Sequence, residues 1–210
     1  MQVKLFQLGM IGTNCYIFWD EDSRKCAVVD PGDEGERVAN YIKGQNLEPV
    51  AVLLTHSHFD HILGSPGLRA VWPDLPIYCH PADVDENQKT VTMFGSTFPA
   101  IGAFGKITPY VEGDKVEIGS ITVEVIATPG HTPGCVTLKA GDILFTGDTL
   151  FRSSIGRTDL PGGSFGTLMS SLKKLGKLEG DYRVCPGHEG LSTLEDEKKF
   201  NGYLAQAMQM

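Results

Sequence analysis

The sequence predicts an α/β/β/α sandwich, two sheets packed face to face with helices on the outside. Three observations point to it. Each half of the chain runs from several strands into helix, strand, helix, the order expected of that layering. The strand segments are short, aromatic and β-branched, and turn residues bound them. No Gly/Ser-rich linker divides the chain, so residues 1–210 read as one domain. With 210 residues, 41% hydrophobic and 21% charged, the chain is long enough to bury a substantial core.

The elements follow in order. "VKLFQL" and "CYIFWD" are strands joined by the turn "GMIGTN". "CAVVDPGD" is a buried strand stopped by Pro31 and Gly32. "EGERVANYIKG" places Val38 and Ile42 at helical spacing, with Gly44 as its C-cap. "PVAVLLTH" is the next strand, "SPGLRAVW" a short helix and "PIYCH" another strand. Residues 81–106 mix Gly and Pro with aromatic residues and read as helix and surface loop. "KVEIGSITVEVIATPG" is a hairpin turning at Gly119-Ser120, and "GCVTLKAGDILFTGD" a second turning at Ala140-Gly141-Asp142. "FGTLMSSLKKLG" is an amphipathic helix, "YRVCPGH" a strand and "TLEDEKKFNGYLAQAM" a closing helix.

Composition excludes several classes. The net charge of −8 disfavours nucleic acid, whose phosphates need a basic surface. No apolar run approaches the roughly 20 residues of a membrane span, and the N-terminus lacks a signal pattern, so a cytoplasmic location is expected. The five cysteines are odd in number and form no Cys-x-x-Cys pair, which argues against a disulfide framework. Cys135 and Cys185 stand close in sequence to histidines.

The histidines hold the chemical signal. Of six, His56, His58, His61, His131 and His188 fall at strand ends beside turn residues, while His80 has no such company. Loops leaving strands can aim side chains into one shared site. In "THSHFDH", residues two apart in extended chain face the same side, so His56 and His58 can meet one metal. Asp60 and His61 follow where the chain turns toward a helix, and can meet a second. "FTGDTLF" repeats the logic, with Gly147 clearing space before Asp148, whose two oxygens can bridge two cations. Imidazole with carboxylate, and no thiolate, suits Zn²⁺, Fe²⁺ or Mn²⁺.

"THSHFDH", "TPGHTPG", "GDTLF" and "PGH", in that order, resemble the metallo-β-lactamase superfamily. The likeness runs from "NCYIFWD" and "VVDPGD" through His188 and is greatest to compact bacterial members of the glyoxalase II group, the hydroxyacylglutathione hydrolase-like thioester hydrolases. The resemblance implies the metallo-β-lactamase fold and a pair of divalent ions, zinc first, with iron or manganese as alternatives. It assigns His56, His58 and His131 to one metal, Asp60, His61 and His188 to the other, and Asp148 to both. True metallo-β-lactamases usually place a cysteine where this chain has Asp148.

The activity so implied is hydrolysis of S-lactoylglutathione or a related hydroxyacyl thioester, a small-molecule substrate. A hydroxide shared by the metals attacks, and Asp60 and Asp148 are the catalytic carboxylates. Asp30, Thr55 and Thr128 are candidates to orient ligand histidines. Full-length glyoxalase II enzymes carry a helical C-terminal domain that contacts glutathione, and the 210-residue chain leaves no room for it after His188. In the loop "SSIGRTDLPGGS", Arg157 matches the family's basic contact, whereas Asp159 and Gly190 stand where tyrosines are expected. Two alternatives stay open. One is hydrolysis of lactones or other esters. The other is persulfide oxidation at a mononuclear iron held by His56, His131 and Asp148, since "GHTPGCVT" and "GRTDL" also resemble persulfide dioxygenases.

Overall fold

The computed structural model describes all 210 residues. The chain opens with a hairpin, β1 (Gln2–Leu8) and β2 (Thr13–Trp19), then β3 (Lys25–Val29), α1 (Gly35–Gly44) and β4 (Glu48–Leu53). A short α2 (Phe59–Ile62), α3 (Ser65–Val71) and β5 (Ile77–Cys79) follow. The ribbon β6 (Thr90–Met93) and β7 (Ser96–Pro99) precedes β8 (Thr108–Pro109). The second half holds β9 (Lys115–Ile118), β10 (Ile121–Ala127), β11 (Val136–Ala140) and β12 (Ile143–Gly147). The small ribbon β13 (Leu150–Phe151) and β14 (Ser154–Ile155) then leads to α4 (Phe165–Gly176). The chain ends with β15 (Arg183–Pro186), β16 (Ser192–Thr193), α5 (Leu194–Phe200) and α6 (Gly202–Gln209).

These strands form the two predicted sheets, in orders β1-β2-β3-β4-β5-β8 and β16-β15-β12-β11-β10-β9. The central strands β3 and β12 read as nearly unbroken apolar runs because both of their faces are buried. In β3, Cys26 and Val28 face α1 and α3, while Ala27 and Val29 face the other sheet. The inter-sheet core is completed by Tyr16 and Phe18 against Phe145. Leu172, Leu175 and Leu204 cover the second sheet's outer face from α4 and α6. Each fully buried apolar side chain contributes about 1.5–3 kcal/mol, so this continuity fixes the strands that end at the site. No helix is long and apolar enough to cross a membrane.

Three local expectations are corrected. Residues 90–99 form a β-hairpin rather than helix, with Phe94 (φ 52°) and Gly95 (φ 76°) both left-handed at its tip. That is the two-residue turn a tight hairpin needs, but phenylalanine seldom occupies it, so the turn signal was hidden. Helix α1 continues through Gly44, and Asn46 (φ 52°) makes the left-handed exit. The closing helix is two helices. Asn201 breaks it, its side-chain oxygen accepting from the amides of Tyr203 and Leu204 to cap α6.

Candidate metal centre

Every predicted ligand follows a strand and lies at one end of the sandwich. β4 runs out into His56 and His58, and α2 turns Asp60 and His61 inward. β10 leads to His131, β12 to Asp148 and β15 to His188. Close approach of these loops depends on glycine at two points. A Cβ on Gly147 (φ 48°) would lie 2.2 Å from Thr55 Oγ1. One on Gly187 would lie 2.5 Å from Asp148 Oδ1 and 2.6 Å from His61 Cε1.

The side chains converge in two groups. The ligand atoms of His56, His58 and His131 lie within 4.8 Å of one another, as do those of Asp60, His61 and His188. Asp148 stands between them. Its Oδ1 is 3.4 Å from His61 Nε2, and its Oδ2 is 3.4 Å from His131 Nε2 and 3.6 Å from His188 Nε2. His56, with His61 and Asp148, also forms a third close set.

The outer partners set which nitrogen each ring presents. His61 Nδ1 donates to Asp30 Oδ2 (3.0 Å), leaving Nε2 facing the cluster. His131 Nδ1 donates to the Arg157 carbonyl (2.7 Å). His56 Nδ1 rests on Thr55 Oγ1 (3.1 Å), which itself donates to Asp30 Oδ2 (2.6 Å). Asp30 also accepts from the Thr55 amide (2.7 Å) and is held at φ 48° directly before Pro31. That position normally disfavours helical φ and ψ of either hand, which marks Asp30 as strained toward a task. Of the other two expected orienting residues, Thr55 acts through this chain, whereas the Thr128 hydroxyl bonds only to those of Thr137 and Thr149.

The electrostatics suit divalent cations. Burial and neighbouring imidazoles push His56 down, and burial with His131 pushes His58 down to about 4, so both rings offer lone pairs at neutral pH. At His61, burial is outweighed by Asp148, Asp60 and Asp30, which raise its pKa well above the ordinary value. A metal there must displace that proton. Burial opposes ionisation of Asp60 and Asp148, but the adjacent histidines keep both low and charged. Buried His56 Nε2 and Asp148 Oδ1 have no hydrogen-bond partner in the protein. Buried polar atoms require one, and a cation ligated by this nitrogen-and-carboxylate set would provide it. Zinc and iron both accept this donor set.

Sequence reasoning missed Asp83, Asn14 and Thr13. The half-buried Asp83 carboxylate accepts from Thr132 Oγ1 (2.6 Å), the Gly134 amide (2.6 Å) and the Ser57 amide (3.3 Å). It thereby ties the His56–His58 loop to the His131 loop, and burial raises its pKa. Asn14 Nδ2 donates to the Pro186 and Glu189 carbonyls, clasping the His188 loop. Thr13 Oγ1 donates to Asp60 Oδ2 (3.2 Å).

His58, Asp60, His131, Asp148 and His188 line a cleft of about 340 Å³. Arg157 is at its mouth, but its guanidinium forms a bidentate pair with Asp159 (2.7 and 2.8 Å). Arg152 is exposed beside Gly190. His80 Nδ1 accepts from the Ala82 amide, away from the cluster. Cys135 is buried with Sγ against Thr132, and Cys185 lies in the inter-sheet core with its thiol pushed up to about 12 by burial. Neither joins a ligand set. Cys135→Ala and Cys185→Ala are expected to retain wild-type metal content; elemental analysis checks this, and a drop in either would reveal a thiolate ligand.

Comparison with known proteins agrees with this geometry. The probable metallo-hydrolase YqgX of Bacillus subtilis is 36% identical, over 97% of this chain and 98% of its own. The hydroxyacylglutathione hydrolase GloC of Haemophilus influenzae is 32% identical over the same shares. Among solved structures, the B3 metallo-beta-lactamase BLEG-1 superposes with a TM-score of 0.83 at 32% identity, covering 97% of this chain and 99% of that one. ETHE1 from Myxococcus xanthus gives 0.82 at 27%, covering 98% and 85%. TTHA1623, solved in a di-iron-bound form, gives 0.81 at 35%, covering 95% and 99%. Residues 8–188 match the metallo-beta-lactamase superfamily as a whole. With the sandwich in place and the ligand loops gathered at one end of it, the chain belongs to that superfamily.

Proposed function

We propose that this protein is a two-metal hydrolase of thioesters, of glyoxalase II type. The observation that carries the reading is Asp148, a carboxylate lying within 3.6 Å of histidines from both ligand groups. When bound, a pair of divalent ions supplies a hydroxide nucleophile near neutral pH and polarises the substrate carbonyl. The chain's own residues hold that chemistry in place. Asp30 and the Arg157 carbonyl fix the tautomers of His61 and His131. Asp60, oriented by Thr13, lines the cleft as a proton acceptor beside the reacting carbonyl. A thiolate leaves with little need of protonation, so no dedicated acid is required. GloC supports the substrate class, and TTHA1623 supports iron as an alternative to zinc.

A second reading has its own support. ETHE1 fits the persulfide dioxygenase alternative, in which His56, His131 and Asp148 would hold a mononuclear iron. That reading gives no role to Asp60, His61 and His188, whose positions Asp30, Thr13 and Asn14 each help to hold. The deciding experiment gives one metal-analysed preparation S-lactoylglutathione, a simple lactone and glutathione persulfide in parallel. Thioester hydrolysis with a high KM is expected. Oxygen uptake with the persulfide and no thioester turnover would transfer the assignment to the dioxygenase.

Arg157 as a substrate contact rests on its place at the cleft mouth. A bare cation meeting an anionic substrate group contributes about 1.5–3 kcal/mol. Asp159 already neutralises this one, so Arg157→Ala should lower kcat/KM by less than about tenfold, through KM, with the metals retained. Asp159→Asn should free the guanidinium and lower KM for glutathione thioesters. Steady-state kinetics on both variants test this, and unchanged KM in both would leave Arg157 a loop-fastening residue.

A further inference from the structure

The cleft over the ligands is not a dead end. Past His58, Phe59, Met93 and Leu160 it continues into a second, more enclosed cavity of about 430 Å³ beneath the β6–β7 hairpin. Its apolar lining is Val91, Met93, Ala100, Ile101, Leu160 and Pro161. Of the polar side chains on its wall, all but Gln88 make hydrogen bonds within the protein. Asp83 bonds to Thr132, Gly134 and Ser57. Ser57 Oγ donates to the Asp83 carbonyl, and Thr92 Oγ1 pairs with Thr97. No lysine or arginine lines it.

We propose that this cavity receives the acyl group of the substrate and selects unbranched apolar acyl chains over short hydroxyacyl ones. The proposal rests on the thioester reading above. A thioester carbonyl placed over the ligands has two arms. The thiol carrier is the larger and more polar arm, and it must leave through the open mouth, where Glu189 and the Arg157–Asp159 pair meet solvent. The enclosed apolar cavity then takes the other arm. A site of this size and lining is typical of apolar ligands anchored by a few polar groups, here those beside the carbonyl.

Each methylene buried is worth a factor of about four, so selectivity should grow with chain length. The test uses metal-loaded protein and N-acetylcysteamine thioesters of acetate, butanoate and hexanoate. For the wild type, kcat/KM should climb about fourfold per added methylene. Val91→Trp fills the cavity from β6, and Ala100→Leu narrows it from another wall should the first variant fold poorly, as judged by thermal melting. Either should bring the hexanoyl-to-acetyl ratio down to within a few-fold of one. Calorimetric binding of hexanoate and acetate, the products, is measured alongside. Hexanoate should bind at least tenfold tighter to the wild type, and the variants should lose the difference. A flat series in kinetics or in product binding overturns the acyl cavity, as does an equal effect of the variants on both chain lengths. If no thioester is turned over while hexanoate keeps its preference, the cavity stands and the thioester reading falls.

Discussion

Asp148→Ala should release metal from both ligand groups and lower hydrolysis by about a thousandfold, or roughly 4 kcal/mol of transition-state stabilisation. The reason is the position of one carboxylate. Its oxygens face His61 on one side and His131 and His188 on the other, so in the two-metal reading its negative charge would let two cations sit close together. The fold should survive, because the Asp148 side chain faces the cleft rather than filling a hydrophobic core, and Gly147 already sets the local backbone. Asp148→Asn is the sharper variant. It keeps the shape and removes the charge, so it should lose metal almost as fully. Elemental analysis with circular dichroism decides it. Full activity with both metals retained would show that Asp148 does not bridge.

Asp30 should show the next largest effect, although it touches no metal. Asp30→Ala leaves the Thr55 amide and His61 Nδ1 without acceptors, each worth about 1–3 kcal/mol when buried. For a domain of this size that corresponds to a fall in Tm of roughly 10 °C. Metal affinity should drop about 10- to 100-fold, as expected on losing the partner that orients a ligand histidine. Asp30→Asn separates the two effects. Its amide oxygen can still accept from Thr55, so stability should largely return. Its NH2 would face His61 Nδ1 and favour the tautomer whose proton sits on Nε2, toward the cluster. Metal binding should therefore remain impaired in a folded protein. Thermal melts and competitive chelator titrations measure both. An Asp30→Asn variant with wild-type metal affinity would remove Asp30 from the account.

The ligands were legible because they are dense and local. "THSHFDH" crowds its donors into the exit of an apolar strand, and His131, Asp148 and His188 each sit beside a glycine or proline that ends another. The alternation of Cys26, Ala27, Val28 and Val29 between the outer and inner cores explains why β3 reads as an unbroken apolar run. What escaped was either conformational or distant. Phe94 occupies a left-handed turn that its side chain does not advertise, so the β6–β7 hairpin was hidden. Asn201 caps one helix while ending another, and composition alone cannot divide the pair. Asp83 lies 49 residues from Thr132, Asn14 lies 172 from Pro186 and Thr13 lies 47 from Asp60. Such pairs exist only once the sheets have packed. Arg157 illustrates the same limit, since the aspartate that occupies its guanidinium was visible two residues away but the geometry of the pair was not.

The central claim is that one carboxylate joins two metal sites, and anomalous diffraction from crystals of metal-loaded protein tests it most directly. The account predicts two peaks about 3.5–4 Å apart, one among His56, His58 and His131 and the other among Asp60, His61 and His188, with Asp148 between them. A single peak held by His56, His131 and Asp148, with the second group empty after loading with zinc and with iron, would contradict it.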